Sequence, residues 1–141
     1  MVPGEWWFTF LSNRFIHCFD MGNSKTIIGV VGPCSAGKTT LITKLSQRGF
    51  SAKHIAQEHS YVKDMWQRIG KPDILIYLDV SYEQSMKRRP LNMSALEFEE
   101  QNQRLTHARQ HAECYLDTTT LTPQEVFAYI EYFLRKTQVQ V

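Results

Sequence analysis

The 141-residue sequence predicts an α/β fold in three layers, α/β/α, around a small and mostly parallel sheet. Three observations carry that expectation. Stretches of strand length alternate with stretches of helical length from Thr26 onward. Two strand candidates, 26–31 (TIIGVV) and 74–80 (ILIYLDV), lack period-two alternation, the mark of parallel strands buried on both faces. Helix-start signals recur after them: Ser81 with Gln84, Ser94 with Glu97, and Thr122 followed by Pro123 and Glu125.

The first strand runs into Gly32-Pro33-Cys34-Ser35-Ala36-Gly37-Lys38-Thr39, which fits G-x-x-x-x-G-K-[ST]. The spacing has a chemical reason. Nucleotide phosphates need several N–H donors converging from a tight loop, and glycine lets that backbone turn and approach closely. Thr39–Leu45 reads as a helix leaving the loop, and its start adds unpaired N–H groups and a partial positive charge. Residues Gly32 to Thr40 are therefore the candidate cradle for a nucleotide triphosphate, with Lys38 reaching the β- and γ-phosphates and the Thr39 hydroxyl binding Mg²⁺.

The remaining elements follow in order. The loop helix closes near Gly49. A second strand is expected over Ser51–Ile55, and a short helix over Val62–Ile69, stopped by Gly70 and Pro72. The Ser81 helix ends before Pro90. The Ser94 helix extends to about Ala112, burying Phe98, Leu105, Ala108 and Ala112. Cys114–Asp117 is a last short strand. The final helix presents Val126, Tyr129, Ile130, Phe133 and Leu134 at i, i+3, i+4, i+7 and i+8, an apolar face for the core.

Size and composition fit one soluble domain: 43% hydrophobic and 21% charged residues, with no apolar run as long as a membrane span. Residues 1–20 stand apart. Trp6, Trp7, Phe8, Phe10 and Phe15 crowd there without helical or strand period, and Glu5 and Arg14 spoil a secretory-signal reading. The expected organisation is an N-terminal extension, 1–20, that is poorly ordered or dispensable, and a nucleotide-binding domain over 21–141 with Met21 as its functional start. The alternative is an aromatic segment that packs on the domain or on a partner. Net charge is +2, too small to argue for nucleic acid. Its basic excess lies in residues 1–90, with 12 basic and 7 acidic residues, against 4 and 7 in residues 91–141. That places it with the phosphate loop. Three cysteines make neither a metal spacing nor an even disulfide framework, so a reducing, cytoplasmic setting is expected.

Two acids compete for the place beside Mg²⁺: Asp79, which ends the strand 74–79, and Glu58, which follows the second strand. Asp79 also has a structural reading, as a cap beside Ser81. Arginine suits phosphate oxygens and transition-state charge, so Arg88 and Arg89 are candidates to clamp a transferred phosphoryl group. Arg104 and Arg109 are weaker ones, since Glu100 and Arg104 at i, i+4 read equally as a surface ion pair. His107 and His111 lie one helical turn apart without the intervening Glu of a metalloprotease motif. His59 sits at the active edge. Tyr61 and Trp66 are candidates for stacking on a base or for core packing. Cys34, inside the loop, predicts that thiol modification blocks nucleotide binding. No N-K-x-D guanine-reading motif occurs.

Taken together, the 32–39 loop, ILIYLDVSYEQSMKRR at 74–89 and YLDTTTLTPQEV at 115–126 resemble the small P-loop kinases, the superfamily of nucleoside, nucleotide and shikimate-type kinases. The resemblance spans about residues 25–137. It implies a compact P-loop NTPase fold, ATP held by Gly32 to Thr40 with Mg²⁺, Arg88 and Arg89 at the lid, and the loop after Asp117 near the adenine. It departs from the family between the second strand and the L-D-V strand, where residues 56–73 replace a longer insertion carrying the acceptor. The expected activity is transfer of the ATP γ-phosphoryl group to a small metabolite, with a nucleoside- or nucleotide-like acceptor within reach. Glu58 or His59 would position the acceptor hydroxyl. The competing expectation is a nucleotide-binding module or slow ATPase that senses a protein partner. Phosphorylation of nucleic-acid ends is weaker, and no membrane partner is expected.

Overall fold

The computed structural model of the chain describes residues 25–90, 92–139 and 141, so the expectations for residues 1–20 and Met21 lie outside the described residues. Among the described residues four strands form one sheet: β1 (Ile27–Val31), β2 (Ser51–His54), β3 (Ile74–Asp79) and β4 (Cys114–Asp117), in the order β2-β1-β3-β4. Every pairing is parallel, with Val30 opposite both His54 and Ile76, and Asp79 opposite Asp117. Among the described residues five α-helices accompany it: α1 (Lys38–Gln47), α2 (Tyr82–Arg88), α3 (Ala95–Arg104), α4 (Thr106–His111) and α5 (Pro123–Lys136). The expected α/β class and parallel sheet are therefore present.

Period-two side-chain direction in the central strands explains how one sheet carries two cores. Ile28 and Val30 of β1, with Ile76 and Leu78 of β3, pack with Leu41 and Leu45 of α1 and Val126, Ile130 and Leu134 of α5. The alternate residues, Val31, Leu75 and Tyr77, pack with Ile55, Trp66, Leu105 and Ala108. Apolar material covers both faces, which is compatible with the three-layer expectation. No helix among the described residues is long and apolar enough to cross a membrane.

The capping signals act as expected. Ser81, Ser94 and Thr122 each accept an N–H from the residue three further on, and Ser94 with Glu97 closes a reciprocal capping box. Three local expectations change. Residues 62–69 do not form an α-helix; a 3₁₀ turn (Gln57–His59) and one wide π turn (Trp66–Gly70) fill the connection. The buried Gln57 side chain explains this, because its Oε1 accepts the Trp66 N–H at 2.8 Å and its Nε2 donates to Val62 O at 2.8 Å. Those backbone groups are satisfied without a helix. The helix expected over 94–112 is interrupted at Leu105, where the Arg104 carbonyl turns to Gln57 Nε2 and Thr106 Oγ1 bonds back to Asn102 O. On α5, Tyr129 is 58% exposed, because Val126, Ile130 and Leu134 complete the contact and leave Tyr129 beside it.

Candidate functional site

The site grows from the carboxyl end of β1. Gly32 follows at φ 152°, and a Cβ there would lie 2.0 Å from Leu78 O, so only glycine lets the chain pass this close to β3. Ser35 at φ 64° and Gly37 at φ 97° then curl the backbone, and α1 begins at Lys38 with no side-chain cap. Among the described residues, the amides of Ser35, Gly37, Lys38 and Thr39 make no intramolecular hydrogen bond. Successive amides in such a curl, set at a helix start, are what binds an anion.

Lys38 is 8% exposed, and its ammonium closes the loop by donating to Gly32 O at 2.6 Å and Pro33 O at 2.8 Å. Its third direction meets Glu58 Oε1 at 3.3 Å. Burial lowers the Lys38 pKa from its ordinary value, opposed by the charge of Glu58. Glu58 is 2% exposed, and the same Oε1 also lies 3.4 Å from His54 Nε2 and 3.8 Å from His59 Nε2. Its other oxygen, Oε2, is buried without a partner, as is Ser35 Oγ. Buried polar atoms are almost always paired, so these two orphans retain bonding capacity for a polar partner.

These groups line a cavity of about 690 Å³, within the range of small-molecule sites. Residues 34–41 form its floor, His54, Glu58 and His59 one side, and Gln84, Arg88 and Arg89 another. Thr118, Leu121, Pro123 and Val126, from the β4–α5 connection and the start of α5, supply a largely apolar wall. Thr39 and Thr40 are exposed at the mouth.

The sequence candidates separate cleanly on this map. Gly37, Lys38, Thr39, Thr40, Glu58, Arg88 and Arg89 all reach the cavity, together with Cys34, Ser35 and Ala36. Gly32 and Pro33 lie beneath it as acceptors for Lys38. Arg88 also has a fixed place: its guanidinium donates to Ser35 O at 3.1 Å, to Thr118 Oγ1 at 2.9 Å and to Thr118 O. Asp79, the other candidate for the metal, does not line the cavity. Its carboxylate accepts the Val80 N–H at 2.9 Å and the Tyr115 hydroxyl at 2.6 Å, and Arg109 stands 3.6 Å away. The acid beside Lys38 is Glu58 because β2, not β3, delivers its continuation to that side of the loop. Arg104 lies over the exposed Tyr61 ring and donates to Glu58 O at 3.3 Å. Trp66 is core, donating from Nε1 to His107 Nδ1 at 3.0 Å, with His111 stacked on His107.

For Mg²⁺, the fit is that of a lightly coordinated ion. Among the described residues no group of three or more His, Cys, Asp or Glu could hold a metal. Magnesium needs no such cage, since it keeps waters and takes one or two protein oxygens plus phosphate oxygens. The exposed Thr39 hydroxyl is such an oxygen, and Glu58, whose buried Oε2 has no partner, is the acid lining the same cavity.

Sequence reasoning missed Ser85, Gln101 and Thr118, all buried and all bonded to the loop: Ser85 Oγ to Cys34 O, Gln101 Oε1 to Cys34 N, and Thr118 Oγ1 to Ala36 O. Gln101 had a signal, since it interrupts the apolar stripe of Phe98, Leu105 and Ala108. Compared with known proteins, the chain matches no protein-family model and no curated relative.

Proposed function

We propose that the protein is an ATP-dependent phosphotransferase of the P-loop NTPase superfamily, kin to the small nucleoside, nucleotide and shikimate-type kinases, acting on a small metabolite. The observation that carries this reading is that one cavity is lined by Ser35, Gly37, Lys38 and Thr39, whose amides are unbonded, and by Glu58, whose Oε2, like Ser35 Oγ, has no partner. Phosphate oxygens satisfy the amides and Ser35. Lys38 then exchanges its bonds to Gly32 O and Pro33 O for the β- and γ-phosphates, which carry more negative charge than two carbonyls. Thr39 would hold magnesium through its hydroxyl, and the ion would supply positive charge to offset that of the transferred group. Arg88 stays with the loop and Thr118, leaving Arg89 as the exposed guanidinium for the transferred group. Glu58, with His54 and His59 about its Oε1, would take the proton of an acceptor hydroxyl approaching from the β2 side. The apolar wall at Leu121, Pro123 and Val126 suits a planar base.

The second reading is a nucleotide-binding module or slow ATPase that reports to a protein partner. It is favoured by residues 55–73, where irregular turns fill the space an acceptor-binding insertion would take. ADP formation from Mg-ATP, alone and with pooled nucleosides, nucleoside monophosphates and hydroxylated metabolites, separates the two. ADP that appears with one pool supports the phosphotransferase. Slow ADP indifferent to every pool supports the module, and no affinity for any nucleotide sinks both.

A further inference from the structure

The phosphate loop is held from outside by buried polar side chains that the chemistry above does not use. We infer that Gln101 and Ser85 are positioning residues for phosphate binding, clamping the Cys34 peptide from both sides so that the amides after it converge. The inference rests on the phosphate-binding reading of the loop.

Gln101 lies on α3, is 7% exposed and stands within the apolar stripe of its helix. A buried carboxamide is costly unless every group is paired, and here all are. Its Oε1 accepts the Cys34 N–H at 3.2 Å, while Nε2 faces Cys34 Sγ at 3.3 Å and Met93 Sδ at 3.4 Å. Sulfur is a weak acceptor, so orientation of the carboxamide toward the loop, rather than bond strength, is what this arrangement secures. Ser85, fully buried on α2, donates its hydroxyl to Cys34 O at 3.0 Å. Both backbone groups of Cys34 are thereby used, and the amides free for phosphate begin at Ser35.

Position in the chain gives the clamp its purpose. Ser35 has φ 64°, a left-handed conformation that a non-glycine residue holds only when its surroundings enforce it. Releasing the Cys34 peptide lets Ser35 relax, and the amides of Ser35, Gly37, Lys38 and Thr39 no longer point to one centre. The helix that carries Gln101 reaches the opposite side as well. Arg104 donates to Glu58 O at 3.3 Å, and the Arg104 carbonyl accepts from Gln57 Nε2 at 3.3 Å. One helix thus sets the loop and the Glu58 segment against each other.

The test uses the full chain with Gln101→Met, which keeps the volume and removes the hydrogen bonds, and Ser85→Ala as the second variant. Three quantities are read: the dissociation constant for Mg-ATP, the rate of Cys34 alkylation by iodoacetamide followed on the Cys34 peptide, and the melting temperature. Loss of one ordinary hydrogen bond predicts affinity weakened by about 2- to 12-fold. Faster Cys34 alkylation accompanies it, and the melting temperature changes little. A merely structural role lowers the melting temperature and moves neither other quantity. Unchanged affinity in both variants overturns the inference, including when alkylation is faster. If Gln101→Met does not fold, Ser85→Ala decides alone. If the wild-type chain binds no nucleotide, the proposed function fails by itself, and inorganic tripolyphosphate takes the place of Mg-ATP. Affinity for it that is absent, or equal in wild type and variants, overturns the inference too.

Discussion

Two acids stand near the carboxyl edge of the same sheet, and their surroundings are opposite. Asp79, ending β3, has both oxygens engaged by Val80 N, the Tyr115 hydroxyl and Arg109, under a stacked pair of Tyr77 and Tyr115 rings. Glu58, just past β2, is more deeply buried and lines the cavity, yet three basic nitrogens crowd one oxygen and the other has no partner. A saturated polar cluster is structure that has finished its bonding. An unsaturated one, held away from bulk water, retains bonding capacity for a ligand.

The largest test strikes the backbone that lies between the two regions. Gly32→Ala places a methyl against Leu78 O and a side chain at φ 152°, so a loss on the order of 3–5 kcal/mol is expected in urea unfolding. A loss below about 1 kcal/mol would mean the loop and β3 separate easily, and the close approach would then not be what fixes the site.

Lys38→Ala removes the charge that joins loop to Glu58. Losing a charge-assisted contact of about 1.5–3 kcal/mol predicts roughly 10- to 150-fold weaker Mg-ATP binding by calorimetry. An unchanged dissociation constant removes Lys38 from the phosphate site.

The comparison itself is tested by neutralising each acid. Glu58→Gln is expected to reduce ADP formation by on the order of 10²-fold and to raise the magnesium needed for half-maximal rate. Asp79→Asn is expected to leave both within about twofold, because its carboxylate faces Tyr115 and Arg109. The reverse pattern would make Asp79 the metal-side acid.

The smallest effect belongs to the closed cluster. Burial and the Asp79 carboxylate push the Tyr115 phenol up to about 12, so the phenol remains a donor where a free tyrosine ionises. A folded-state pKa above the unfolded value gives stability that is complete below about pH 10 and lost between that and about pH 12. Tyr115→Phe should cost about 0.5–1 kcal/mol at neutral pH, flatten that alkaline slope and leave Mg-ATP affinity unchanged. A fall in affinity would tie the closed cluster to the open one.

Much of this contrast lies beyond what local pattern can express. Lys38, Thr39 and the loop glycines were legible because the G-x-x-x-x-G-K-[ST] pattern fixes their offsets within eight residues. The helix starts at Ser81, Ser94 and Thr122 were legible for the same reason, since a cap bonds to an amide three residues away. Asp79 and Glu58 could not be ranked, because each follows a strand and nothing local says which strand lies beside which. Gln57 carried no signal for its role, although its side chain replaces helix bonds over residues 62–66 and interrupts the helix after Arg104.

The sequence by itself determined the α/β class, the G-x-x-x-x-G-K-[ST] pattern and the capped helix starts, all products of short-range spacing, periodicity and backbone hydrogen bonding. Tertiary structure alone decided that β2 adjoins β1, that Glu58 therefore meets Lys38, and that Ser85, Arg88, Gln101 and Thr118 hold the loop. The physical reason is distance along the chain. Those contacts join residues 20 to 82 positions apart, and only closure of the parallel sheet brings them within hydrogen-bond reach.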